Sequence, residues 1–309
     1  MSRTHQLSAE RVHHAWDNSL PPLLAIDPGD TVVFQTRDSS DGRNKPPVTL
    51  AEMQARPRAP GHPLTGPVFV RGAEPGDALE IEVLTLETGP WGYTVVAPGV
   101  GLLSEDFEKT ALFHWDLTRD PVPFVRGVRI PKEPFLGVMG VALAEPGSFN
   151  TMPPRRNAGN VDVKQITAGA KLWLPVLVPG ALFSCGDGHA AQGDGEVCVT
   201  AIECEMTATL RFGLRKGRAP AELQYETPGP LSPRINTAGY YATTGHSPDL
   251  LEAARQATRH MIAYLVEQYS FTREEAYMLC SVAVDLHVSE VVDAPNWIVS
   301  ALLPKSIFA

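Results

Sequence analysis

Proline and glycine recur at short intervals through the first 235 residues, and this punctuation limits what the chain can fold into. A helix interior excludes proline and is weakened by glycine, so apolar or alternating segments cut this short form strands joined by turns. The pattern is clearest in Thr31 to Thr36 (TVVFQT), Pro67 to Arg71 (PVFVR), Ala78 to Leu86 (ALEIEVLTL), Lys171 to Val178 (KLWLPVLV) and Val197 to Phe212. Two strand entries share one turn, Asp27-Pro28-Gly29-Asp30 and Glu74-Pro75-Gly76-Asp77, in which proline presets φ and glycine supplies a positive φ. Within Val197 to Phe212 the apolar set Val197, Val199, Ala201 slips by one residue to Ile202, Cys204, Met206. That slip predicts a β-bulge or kink near Ala201, or a strand buried on both faces.

The rhythm changes after about residue 245. Ser247-Pro248-Asp249 offers an N-cap, a proline at the first helical position and an acid in the first turn. Leu250, Ala254, Ala257, Met261 and Leu265 then recur at helical spacing, which predicts a helix over Pro248 to Gln268. A second helix is expected from Thr272, which forms a capping box with Glu275, while Val282 to Val292 reads equally as helix or strand. The expected class is α+β and β-dominated: many short strands in packed sheets or a barrel-like body, with C-terminal helices. The expected division is a β-rich body over residues 1–245 and a helical segment over 246–309 packed on the same unit.

Composition narrows the partners. The formal charge is -9 and the 26 lysines and arginines are scattered, so nucleic acid, which needs clustered cations, is not an expected partner. A small neutral or cationic molecule fits better. The N-terminus has no apolar leader and no run of about 18 apolar residues occurs, so no membrane span and a cytoplasmic location are expected. Cys185, Cys198, Cys204 and Cys280 include no CxxC pair and read as reduced, buried thiols.

Three polar islands can carry chemistry. The first, Cys185-Gly186-Asp187-Gly188-His189-Ala190-Ala191-Gln192-Gly193-Asp194-Gly195-Glu196, packs three acids and an imidazole among four glycines between two apolar strands. Glycine lets backbone approach a ligand closely, and Asp, His and Glu are the ligands and bases of hydrolytic sites. The same Gly-Asp-Gly also makes ordinary tight turns; a calcium loop is a further reading, against which an imidazole counts. The second, Asn157 to Gln165, puts Asn160, Asp162 and Lys164 on one side of an extended segment, as a surface ion pair or a site. In the third, Thr36-Arg37-Asp38-Ser39-Ser40-Asp41, a strand exits into an acidic loop.

Read together, these islands resemble the acetamidase/formamidase family. The opening is carried by His14-Ala15-Trp16-Asp17-Asn18, the two Pro-Gly-Asp turns, Asp38 and Gly66-Pro67-Val68; the middle by Gly159 to Lys164 and the block from Gly186 to Glu196. The close is carried by Thr244-Gly245-His246, Val292-Asp293 and Leu303-Pro304-Lys305-Ser306, and the chain is most similar to the shorter, acetamidase-like branch. The resemblance implies hydrolysis of short aliphatic amides to carboxylate and ammonia on a β-dominated fold, in a homo-oligomer, with a divalent metal. On that basis Asp38, Asp187 and His189 are expected to hold the metal, zinc before calcium, with Asp194 fixing the imidazole of His189. Glu196 is the expected general base, Asp162 and Lys164 orient or stabilise the tetrahedral intermediate, and Asn160 and Gln192 are expected to touch substrate. Rival readings are a thiol amidase built on Cys185, Glu196 and Lys164, an enzyme for a lactam or other C–N substrate, and a member that only binds a metal or small ligand.

Overall fold

The computed structural model describes residues 2–57, 60–232 and 234–308. Strands dominate and the long helices lie near the C-terminus, as expected. The chain forms two compact units that interleave along the sequence: Met1–Gly89, Pro134–His189 and Glu203–Leu231 in the first, and Pro90–Glu133, Ala190–Ile202 and Ser232–Ala309 in the second.

The first unit is built on a large sheet. Strand Phe183–His189 pairs antiparallel with Phe135–Gly140 and with Leu64–Val70, and its last two residues pair with the start of Glu203–Arg215. Glu203–Arg215 continues along Thr31–Thr36, which in turn takes Thr4–Leu7 as a parallel neighbour. The alternation of TVVFQT sends Val32 and Phe34 inward, where Phe34, Phe183 and Phe212 meet with ring centroids 5.8 Å (34 to 183) and 5.2 Å (183 to 212) apart. Both Pro-Gly-Asp turns close by one device. Asp30 and Asp77 are buried, and each accepts the backbone N–H three residues earlier, from Asp27 at 3.2 Å and Glu74 at 2.9 Å. Gly29 and Gly76 take the expected positive φ, 98° and 99°.

The slip near Ala201 has a simple cause. The strand begins only at Glu203, and residues 197–202 are irregular chain, so the two apolar sets belong to different conformations. The glycine-rich block is likewise not one loop: Gly186 to His189 complete a strand and only the residues after it turn. Asn160 ends the short strand Ala158–Asn160, and Asp162, at φ 47°, leaves the extended conformation, so Asn160, Asp162 and Lys164 are not a strand face.

In the second unit, Tyr240–Ser247, Trp297–Pro304 and Asp285–Glu290 form an antiparallel sheet. Helix Leu250–Tyr269 starts two residues later than an N-cap at Ser247 predicts, because Asp249 is the N-cap and accepts from Leu251 and Glu252 N–H. It buries Ala253, Ala257, Met261, Ile262 and Leu265. Helix Arg273–Ala283 opens on the expected Thr272–Glu275 capping box, and the ambiguous stretch beyond it resolves into strand Asp285–Glu290. Among the described residues no helix is long and apolar enough to cross a membrane. All four cysteines are buried and unbridged.

Candidate active site

The site in the first unit follows from strand pairing. Residues two apart on a strand share a face, which brings Asp187 and His189 together, and the antiparallel register sets Glu203 directly opposite His189. His189 Nε2 lies 3.2 Å from Glu203 Oε1 and 3.5 Å from Asp187 Oδ1. All three residues are buried, and one donor atom from each lies within 4.8 Å of the others. The Ser39 hydroxyl donates to Glu203 Oε2 at 2.7 Å, and the Phe135 ring stands edge-on to the imidazole with centroids 4.9 Å apart. Asp187 holds a left-handed φ of 58°, a conformation that costs a non-glycine residue about 1 to 3 kcal/mol and gathers at functional sites.

Strand Phe135–Gly140 supplies the floor. Gly137 has no side chain where a Cβ would lie 2.5 Å from Asp162 Oδ1, 2.8 Å from Asp187 Oδ2 and 3.0 Å from His189 Cε1. Three functional groups therefore converge on space that any other residue would fill. The Gly137 carbonyl accepts from Asp162 N–H at 3.2 Å, which holds Asp162 in place despite its left-handed backbone.

The charges are mutually dependent. Burial drives the His189 imidazole towards neutrality, but Glu203 and then Asp187 outweigh it and hold His189 well above the ordinary histidine range. Burial likewise pushes the Asp187 carboxyl up, and the His62 and His189 imidazoles more than reverse that, leaving it below the usual carboxylate range. For Glu203 burial wins: its carboxyl is raised, with His189 opposing and Asp187 adding to the rise. With no ion bound, these shifts favour a proton held between His189 and its two carboxylates, and an ion held by all three would displace it.

The other expected residues fall as follows. Asp38 is fully buried, but its oxygens are taken by its own turn, Oδ1 by the Ser40 N–H (2.9 Å) and hydroxyl and Oδ2 by the Gly42 N–H (2.8 Å). Among the described residues it is not one of the donors that gather within 4.8 Å; Glu203 stands in that place. Lys164 is buried in the first unit. Asn160 donates to Met152 O at 3.0 Å, and its Oδ1 is buried with no hydrogen-bond partner among the described residues. Gln192, Asp194 and Glu196 lie in the second unit. There Asp194 N–H donates to Asp285 Oδ1 at 2.9 Å, and Glu196, at φ 42°, donates its N–H to Gly193 O. Cys185 is wholly buried and burial pushes its thiol up, against a thiolate nucleophile.

Glu203 and His62 escaped sequence reasoning. Glu203 sits between Ile202 and Cys204 with Glu205 two residues on, and local spacing does not single it out. His62, whose Nε2 lies 3.7 Å from Asp187 Oδ2, stands between Gly61 and Pro63 and carried no signal.

The acetamidase/formamidase family model matches residues 1–148 and 143–309. The chain is 26% identical to a formamidase of Methylophilus methylotrophus, across 96% of this chain and 89% of that protein. Among solved structures, a γ-lactamase from Delftia acidovorans overlays with a TM-score of 0.89 at 26% identity, covering 99% of this chain and 93% of the other. An acetamidase from Bacillus halodurans overlays with a TM-score of 0.68 at 33% identity, covering 98% of each chain.

Proposed function

We propose, from the premise that the chain belongs to the acetamidase/formamidase family, that it cleaves short aliphatic amides at the buried Asp187–His189–Glu203 cluster. The enzyme is a hydrolase of linear amide C–N bonds, releasing an acid and ammonia. The observation that carries the assignment of the centre is the convergence of Asp162, Asp187 and His189 on the space left by Gly137, with Glu203 paired across the strand.

Two carboxylates and an imidazole, with Asp187 Oδ1 buried and lacking a hydrogen-bond partner among the described residues, fit a divalent ion. Zinc suits this mixed nitrogen and oxygen set better than calcium, which prefers oxygen alone. Asp187, His189 and Glu203 would hold it, and when bound it supplies Lewis acidity to the amide carbonyl and lowers the pKa of water. The chain's own residues do the rest. Lys164 offers fixed positive charge to the oxyanion that forms at the carbonyl carbon, and Asp162 orients the attacking water. Asn160 Oδ1 accepts an N–H of the substrate amide. Glu196 keeps the role its sequence block gives it, taking a proton from water and returning it to the departing nitrogen.

A second reading, a cyclic amide as substrate, is favoured by the TM-score of 0.89 to the γ-lactamase against 0.68 to the acetamidase. Cytoplasmic location agrees with four unbridged cysteines. Assembly into a homo-oligomer agrees with exposed apolar side chains such as Leu251 at 53% and Val292 at 80%, and light scattering decides it.

The deciding experiment follows ammonia release from formamide and acetamide alongside zinc content. Glu203→Gln is expected to lose zinc and turnover together, whereas Glu196→Gln keeps near-normal zinc while kcat falls about 100- to 10,000-fold. Full zinc and full turnover in Glu203→Gln would remove the cluster from the reaction.

A further inference from the structure

His62 is pinned from its own backbone. Gly61 packs so tightly that a Cβ there would lie 2.6 Å from His14 O and 2.7 Å from Thr151 Oγ1. His62 N–H donates to that same buried hydroxyl at 2.8 Å. The imidazole is only 7% exposed, and its Nδ1 meets no hydrogen-bond partner among the described residues. The polar side chain that its ring faces is Asp187, with Nε2 3.7 Å from Oδ2. A ring that merely filled space would serve as well or better as an apolar one, since a polar atom left unsatisfied in the interior costs free energy.

We propose that His62 is a positioning residue for Asp187: its Nε2 steadies carboxylate oxygen Oδ2 and keeps Oδ1 turned towards His189. The inference rests on the reading of Asp187 as part of the reacting centre. At 3.7 Å the contact is longer than a hydrogen bond, so it acts by fixing where the carboxylate can lie, and the pinned backbone makes it directional. Groups that orient a metal-holding or reacting side chain carry effects of about 10- to 100-fold when removed.

The test uses His62→Ala, His62→Gln and His62→Asn in the full chain, each alone, with His62→Ala also combined with Asp187→Asn. Readouts are kcat and KM for acetamide, thermal midpoint, and zinc affinity by chelator competition. The amide nitrogen of glutamine reaches about as far as imidazole Nε2, and that of asparagine only as far as Nδ1. His62→Ala is expected to lower kcat about 10- to 100-fold with KM changed less than about 3-fold, His62→Gln to recover most of the loss and His62→Asn to recover little. Combined with Asp187→Asn, His62→Ala should add nothing further to the loss in kcat or zinc affinity. Unchanged kcat in His62→Ala, rescue by asparagine rather than glutamine, or full additivity in the double variant would overturn the proposal. An Asp187→Asn enzyme with wild-type turnover and zinc affinity would overturn the reading of Asp187 as well. A silent His62→Ala beside a disabled Asp187→Asn overturns only the part given to His62.

Discussion

A methyl group at position 137 would stand 2.5 Å from Asp162 Oδ1 and 2.8 Å from Asp187 Oδ2, inside the contact distance of either oxygen. The backbone there is part of a paired strand, so Gly137→Ala is accommodated by displacing the two carboxylates rather than the sheet. Displacements of about 1 Å in a reacting centre cost on the order of 100-fold in rate, and overpacking a tight site costs about 1 to 3 kcal/mol. Gly137→Ala is therefore expected to fold with a modestly lowered thermal midpoint and to lose at least about 100-fold in kcat, measured together on one preparation. Wild-type kcat would mean that the two carboxylates do not work where they converge. That Asp162, Asp187 and His189 lie together was legible because charge and glycine crowd along the chain around them. Glu203 was not, because what makes it part of the site is a partner 14 residues away across a strand pair, and nothing in local spacing encodes register.

The Pro-Gly-Asp turns act as rivets between elements. Asp30 accepts from Arg3 N–H at 2.7 Å and meets His5 Nε2 at 2.9 Å, tying the first strand, Thr4–Leu7, to the turn before Thr31–Thr36. Asp77 does the same for a later stretch, accepting from Gly217 N–H at 2.8 Å and Lys216 Nζ at 2.6 Å. Burial raises the Asp30 carboxyl, but its bonds to His5, Arg3 and Asp27 overcome this and lower it to about 2, against about 3.9 in an unfolded chain. The stabilisation it gives is thus present above about pH 4 and lost as the pH falls towards about 2. Asp30→Asn is expected to cost about 1 to 2 kcal/mol near neutral pH, with the gap to wild type closing between about pH 4 and pH 2 in urea titrations. A gap independent of pH would assign the loss to packing instead. These turns, the strand Thr31–Thr36 and the Thr272 cap were readable because each is fixed by residues within a few positions. The end of the strand Phe183–His189 was not: Gly-Asp-Gly-His has turn chemistry, and pairing with Phe135–Gly140 on one side and Glu203–Arg215 on the other keeps it in the sheet.

At the scale of the molecule, overlay and identity point to different relatives: the γ-lactamase shares more of the chain path, the acetamidase more of the residues. Chain path alone does not choose a substrate, since the same fold carries many sites. The chemistry of the leaving group separates the two classes. A linear amide releases ammonia, which diffuses away, whereas an opened lactam keeps its amine tethered to the new carboxylate at a high effective concentration. An acid–base set that hands a proton to departing nitrogen gains most where that nitrogen leaves for good. The enzyme is accordingly expected to turn over acetamide with kcat/KM at least about 10-fold above that for an unstrained γ-lactam, measured by ammonia release and by ring opening. Exhaustive chelation should silence both activities in parallel and zinc should restore both, because one cluster serves each substrate. Ring opening that exceeds acetamide hydrolysis under the same treatment would make the cyclic amide the substrate class, and hydrolysis untouched by chelation would leave the imidazolium and carboxylates of His189, Asp187 and Glu203 to act without an ion.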